Sequence, residues 1–173
     1  MDSVIQRLVE IYNGKISKGL SLTEDEKELI TKHADVLKDT KDVDEELKRN
    51  FYVYCAFSKE LNIRTPTRVY SLVWAGDDDA IIKFLERPLT LPPLAILSSA
   101  IKNKDLRKNV VSKLSDQVQM YVNDHYVHYF GTEEEMKAWD DKVVEIKDVT
   151  ELDLVKLKRL PDDVMIRISR WLW

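Results

Sequence analysis

Cysteine, glycine and proline are scarce in this chain, and each scarcity excludes a class of protein. There is one cysteine, with four glycines and five prolines. One cysteine cannot form an internal disulfide, which excludes a disulfide-stabilised secreted scaffold and favours a reducing compartment, the cytoplasm or the nucleus. So few glycines and prolines are unusual in a chain rich in turns and sheets.

Long apolar runs and an excess of one charge are also missing. No uninterrupted apolar stretch approaches the roughly 20 residues of a membrane span, so we expect no membrane association. The first residues, 1–4, lack the basic segment and apolar core of a signal peptide, which again favours a cytoplasmic location. The 27 basic and 31 acidic residues leave a net charge of −4, which exerts no general attraction on phosphate or anionic lipid.

The remaining composition is that of a folded protein. Hydrophobic residues make up 44% and charged residues 34% of the 173 positions, and no linker or repeat interrupts them. This length predicts a single helical domain over residues 1–173. Dense charge with only three glutamines leans toward a thermophilic source.

Helical periodicity and helix start signals cover most of the chain. They predict a compact all-α array of about eight short-to-medium helices, with at most one minor β-strand pair, to which residues 142–146 would contribute. The expected starts are near Ser3, a capping box at Thr23, Asp42–Glu45, Thr65 as N-cap before Pro66, Asp77–Asp79, Leu91, Asp105, a second capping box at Thr132, about Thr150, and Pro161.

Residues 51–57 are apolar or aromatic on every side of the predicted third helix, which is expected to run to about Leu61. A helix that is apolar all round is normally central in its fold. Cys55 lies within it, and we interpret it as a buried core thiol rather than a nucleophile.

Three consecutive aspartates, Asp77–Asp79, could cap the helix that follows or bind a divalent cation. A calcium loop would need acidic ligands in alternation over about 12 residues, with a glycine in the middle. Consecutive carboxylates before a helix instead complement its unpaired N–H groups, so capping is favoured.

His125 and His128 are the pair of residues best suited to a chemical role such as metal binding. We expect both within one long helix from Asp105 to Phe130. They could be interior or interface histidines, a pH-sensitive contact, or ligands of a metalloenzyme. A catalytic zinc normally needs three protein ligands, and no third follows at a recognisable spacing, so we expect no cofactor. Both continue the apolar stripe of that helix, formed by Leu106, Val110, Leu114, Val118 and Tyr121.

Basic residues gather before and within the same helix. Lys104 and Lys108 are neighbours on the helical wheel, whereas Lys113 lies about 140° from Lys108, so the group is a basic helix entrance rather than a continuous stripe. A solvated surface explains it, but nucleic-acid binding is a second hypothesis. The residues that would serve it are Arg64, Arg68, Lys102, Lys104 and Lys108.

The strongest binding signal is the C-terminal segment, 150–173. Chain ends are usually frayed and polar unless they are tied down, yet two tryptophans occupy the last three positions. We expect this end to dock into the domain's own core or into a partner's groove. The residues expected to contact a partner are Val164, Ile168, Trp171, Leu172 and Trp173.

The same segment resembles the first helix of an F-box, because Leu160-Pro161-Asp162-Asp163 leads into an apolar helix. The resemblance covers about 13 residues and stops where that family continues with further helices. It carries no function over to this chain.

Motifs of catalysis are missing from the sequence. There is no glycine-rich phosphate loop, no Gly-x-Ser-x-Gly elbow and no Cys-x-x-Cys pair. We therefore expect a non-catalytic intracellular protein, an adaptor or structural subunit of a larger protein or nucleoprotein assembly. It would bind another protein or a second copy of itself, with nucleic-acid binding as the alternative.

Overall fold

Every regular element in the described part of the chain is helical. The computed structural model describes residues 2–89, 91–114, 119, 122–123, 126–127 and 131–138. The all-α prediction is confirmed, and the candidate strand 142–146 lies outside these residues. The helices are α1 Ser3–Gly14, α2 Glu24–His33, α3 Glu45–Phe57, α4 Thr65–Ala75, α5 Asp78–Leu85, α6 Leu91–Ala100 and α7 Lys104–Ser112, with 3-10 turns at Ile16–Lys18 and Ala34–Leu37.

The chain divides into two compact units, Met1–Ala80 (unit 1) and Ile81–Trp173 (unit 2). Buried apolar clusters occur within each of them. The expectation of one helical domain stays a prediction. Segment 150–173 lies outside the described residues.

Side chains at the predicted start signals begin the helices of unit 1. Asp2 accepts a hydrogen bond from the N–H of Val4 at 2.7 Å. Thr23 and Glu26 form the predicted capping box, with bonds of 3.2 and 2.8 Å that satisfy each other's backbone N–H. The Asp44 side chain caps α3 by accepting from the N–H of Leu47 at 3.2 Å. These contacts are local, so the sequence alone was enough to predict them.

The start of α4 differs by one residue from the prediction that Thr65 is the N-cap. The carbonyl of Arg64 accepts the first intrahelical bond, from the N–H of Arg68 at 3.2 Å, so Arg64 is the N-cap. Pro66 still lies in the first turn, where its missing N–H costs no hydrogen bond. At the other end Gly76 adopts the left-handed conformation (φ +63°), as expected of a C-terminal cap.

The third helix ends earlier than expected. The prediction carried α3 to about Leu61, but the helix ends at Phe57 and Ser58 adopts an extended conformation. The N–H of Ser58 still closes the last turn by bonding to the carbonyl of Tyr54 at 2.8 Å. Beyond that point the carbonyls of Ser58 and Leu61 accept hydrogen bonds from the Arg68 side chain of α4 and not from a further helical turn.

The predicted long helix Asp105–Phe130 is wrong, because α7 ends at Ser112. The N–H groups of residues 113 and 114 bond to carbonyls three residues back, which tightens the last turn. The amide of Gln119 then donates to the carbonyl of Leu114 at 2.7 Å. The predicted apolar stripe is thus interrupted at its middle, while Val118, Tyr121, His125 and His128 lie outside the described residues.

Gly131 and Thr132 mark a second boundary in unit 2, as predicted. The N–H of Gly131 bonds to the carbonyl of Val127 at 3.0 Å. A Cβ at position 131 would lie too close to that carbonyl oxygen, so only glycine fits there. Thr132 and Glu135 form the predicted capping box, with bonds of 3.1 and 3.4 Å.

Helix α3 forms the centre of unit 1, as its apolar composition predicted. Its closest partner is α4. The buried cluster comprises Leu8, Ile11, Leu22, Ile30, Leu37, Val43, Phe51, Tyr52, Cys55, Leu61, Ile63 and Ala75.

Helix α6 has the same all-round character in unit 2. None of its described side chains, 92–100, is exposed. Ala95 packs with Val111 of α7, with Val122 and with half-buried Leu114. Within the described residues, no helix is both long enough and apolar enough to cross a membrane.

Candidate functional site

An aromatic surface on α4 is the best-defined candidate site of unit 1. It consists of Tyr70, Trp74 and Lys38. The rings of Tyr70 and Trp74 lie one helical turn apart and stack with centroids 6.2 Å apart and planes at 22°. The Lys38 ammonium nitrogen lies 5.0 Å from the Trp74 ring centroid, which is cation–π distance. Tyr70 is 43% exposed, one of the two exposed large apolar side chains among the described residues.

Tyr52 of α3 supports the aromatic surface from the core. Its ring meets Trp74 edge to face, with centroids 5.3 Å apart. Its hydroxyl donates to the carbonyl of Ala34 at 2.7 Å, and burial raises the pKa of the phenol well above its usual value. The neutral, hydrogen-bonded phenol fixes the ring of Tyr52, and this ring supports Trp74 on the side that faces the core.

Lys38 adds a cation to the aromatic surface, and the carboxylate of Asp39 lies beside it. Its ammonium nitrogen lies 3.6 Å from a carboxylate oxygen of Asp39, whose side chain is 82% exposed. An exposed pair of this kind contributes little to stability. The aromatic surface can therefore present ring faces together with charges of both signs.

Neither Trp74 nor Lys38 is among the site residues predicted from the sequence. Trp74 could have been found from the sequence, because Tyr70 and Trp74 are four residues apart on one helix and residues at that spacing are neighbours on its surface. Lys38 follows the 3-10 turn Ala34–Leu37, and its position over Trp74 depends on how that turn packs. No local pattern indicates such a contact.

Arg68, predicted to contact nucleic acid, has a structural role within unit 1. Its guanidinium group donates to backbone carbonyls at the end of α3 and in the turn that follows. The shortest bonds reach Ser58 at 2.7 Å and Leu61 at 2.8 Å. These bonds hold the guanidinium against the end of α3, and a contact of Arg68 with nucleic acid stays a prediction. The accepting carbonyls are those of Cys55, Ala56, Ser58, Leu61 and Ile63.

Arg64 lies one turn before Arg68 and has a different environment. It is exposed, and its side chain makes no capping hydrogen bond at the start of α4. Arg64 belongs to unit 1, whereas the lysines predicted to act with it belong to unit 2. Its role as a nucleic-acid contact stays a prediction.

The basic surface of unit 2 consists of Lys102, Lys104 and Lys108. All three are exposed. Lys104 is the first residue of α7 and Lys108 lies one turn later on the same face. The Asn103 side chain caps the helix by accepting from two backbone N–H groups, at 3.0 and 3.1 Å.

Arg107 points away from the basic surface. Its guanidinium donates to the carbonyl of Ile101 at 2.9 Å and lies 4.0 Å from the ring centroid of Tyr126. The basic surface therefore depends on its lysines alone.

Asp77 and Cys55, two residues considered for a chemical role, have structural roles in unit 1. The Asp77 carboxylate accepts from the N–H of Ala80 at 3.2 Å, which is a helix-capping contact. Cys55 is fully buried, and burial raises the pKa of its thiol to about 12, so it stays protonated. Among the residues described, no three His, Cys, Asp or Glu side chains are grouped to hold a metal ion.

The predicted partner-binding residues lie outside the described residues. They are Val164, Ile168, Trp171, Leu172 and Trp173, together with the F-box-like stretch 160–172. Comparison with known proteins gives no match for this chain: no family model, no curated protein and no solved structure is significantly similar.

Proposed function

We propose that this protein works by binding another protein, as a non-catalytic adaptor or structural subunit of a larger assembly. The observation that carries the proposal is the aromatic surface of α4. Tyrosine and tryptophan dominate protein interfaces because a large ring gains much contact area and loses little rotamer freedom. Tyr70 and Trp74 are already held by stacking and by the fixed Tyr52 ring, so ordering them on binding would cost little.

The apolar helix that the sequence predicts at the C-terminus supplies the second part of the proposal. Val164, Ile168, Trp171, Leu172 and Trp173 form an apolar stripe in the sequence, of the kind that anchors a helix in a partner's groove. The proposal holds that a partner, or a second copy of the chain, accepts this stripe. Intracellular location is part of the proposal and rests on the single cysteine and on the composition.

Deleting Trp171–Trp173 tests the C-terminal contribution. We expect the truncated chain to keep its helical circular dichroism and its unfolding midpoint. We also expect it to lose association, seen as a lower sedimentation coefficient or as loss of a co-purified partner. If the deletion unfolds the chain, the terminal tryptophans belong to its own core and this part of the proposal is wrong.

The aromatic surface is tested by Tyr70→Ser, with Leu20→Ser as the matched control. Leu20, 54% exposed, is the other large exposed apolar side chain, and it lies on the turn before α2, away from α4 in sequence. We expect the partner that co-purifies from the native source, identified by mass spectrometry, to be recovered with the wild type and with Leu20→Ser. Its recovery should fall at least tenfold with Tyr70→Ser. Equal recovery with both variants would exclude the aromatic surface as the contact.

Nucleic-acid binding is the second candidate, favoured by the exposed Lys104 and Lys108 on one face of α7. Two lysines one turn apart can contact successive phosphates, and Lys102 adds a third cation before the helix. The net charge of −4 opposes binding to a polyanion, which is why this candidate comes second.

Salt dependence tests the nucleic-acid candidate. With a fluorescent single-stranded RNA or duplex DNA, the affinity should fall as salt rises, with a log–log slope of about −2 to −3 if two or three phosphates are contacted. The double variant Lys104→Gln/Lys108→Gln should reduce that slope by about 2. The matched control, Lys18→Gln/Lys32→Gln, removes the same charge from exposed positions of unit 1. Absence of binding at low salt would end this candidate.

A further inference from the structure

We draw no further inference here: the strongest candidate, the aromatic surface of Tyr70, Trp74 and Lys38 on α4, already carries the proposed function, and nothing in the described part of the chain shows what covers it.

Discussion

The two central helices, α3 in unit 1 and α6 in unit 2, are buried in different ways. In α3 the buried polar groups are satisfied: the Tyr52 hydroxyl donates to Ala34, and the Lys48 ammonium donates to the carbonyl of Thr40 at 2.6 Å. In α6 the fully buried Ser98 hydroxyl has no hydrogen-bond partner among the residues that the structure describes. Directional hydrogen bonds thus fix the position of α3, whereas the described neighbours of α6 leave the Ser98 hydroxyl unpaired.

This difference extends to the ends of the elements. In unit 1, Arg68 holds the end of α3, and Glu26 joins the start of α2 to Lys15. A buried polar group without its hydrogen-bond partner destabilises the fold, so removing one member of such a network should lower the free energy of unfolding considerably. Around α6, apolar packing dominates, and removing the unpaired hydroxyl should do no harm. Each of the following variants tests one side of this comparison.

The largest effect is expected from Arg68→Ala. It removes a charged donor from five backbone carbonyls and should lower the free energy of unfolding by about 3–4 kcal/mol. Arg68→Lys keeps the charge but cannot reproduce the fork of donors, so it should recover only part of the loss. Urea unfolding followed by circular dichroism measures both.

Arg64→Ala is the control for Arg68→Ala. Arg64 is exposed on the same helix, so its removal should change the free energy of unfolding by less than about 0.5 kcal/mol. Equal losses in the two variants would show that the carbonyl contacts of Arg68 do not stabilise unit 1.

The second effect concerns the carboxylate of Glu26, whose side chain is 7% exposed. It accepts from Lys15 at 2.5 Å and from the N–H of Thr23, and these bonds lower its pKa from 4.5 to about 2. Glu26→Gln should reduce the free energy of unfolding at neutral pH by about 2 kcal/mol, since it removes the charge that strengthens the bonds from Lys15 and from the N–H of Thr23. Glu24→Gln, which alters a surface pair with Lys27, should cost less than about 0.5 kcal/mol.

The pH dependence of stability shows whether the charge of Glu26, and not only the packing of its side chain, stabilises unit 1. Because the pKa is lower in the folded than in the unfolded state, the contribution is complete above about pH 4.5 and is lost as the pH falls toward 2. The difference in stability between wild type and Glu26→Gln should therefore shrink over that range. A difference that stays constant down to pH 2 would mean that the charge of Glu26 is not responsible.

The smallest effect, and one of opposite sign, is expected in α6. Ser98→Ala removes an unpaired buried hydroxyl and introduces a better helix former, so it should raise the free energy of unfolding by about 1 kcal/mol. Its neighbour Ser99 donates to the carbonyl of Ala95 at 2.5 Å, and Ser99→Ala should instead lower it by about 0.5–1 kcal/mol. Thermal and urea unfolding of the two variants measure these changes, and a loss with Ser98→Ala would show that its hydroxyl has a partner.

Helix boundaries set by neighbouring residues were predictable from the sequence. The capping boxes at Thr23 and Thr132, the caps at Asp44 and Gly76 and the central position of residues 51–57 follow from contacts within a few residues or from composition. The same local information misplaced the start of α4 by a single residue.

Boundaries that depend on distant groups were not predictable. The end of α3 at Phe57 is accompanied by bonds from Arg68, ten residues beyond Ser58. The aromatic surface had a local signal in the spacing of Tyr70 and Trp74. Its cation, Lys38, comes from a different element and had none.

The sequence by itself determined that the described chain is helical and where most helices begin, because periodicity and capping involve side chains within one turn of each other. The tertiary structure decided what two similar arginines do. Arg64, the N-cap of α4, lies one turn before Arg68, yet Arg64 is exposed whereas Arg68 holds the end of α3. Only the packing of α4 against α3 brings those carbonyls within reach of Arg68, since they belong to residues 5 to 13 positions earlier in the chain.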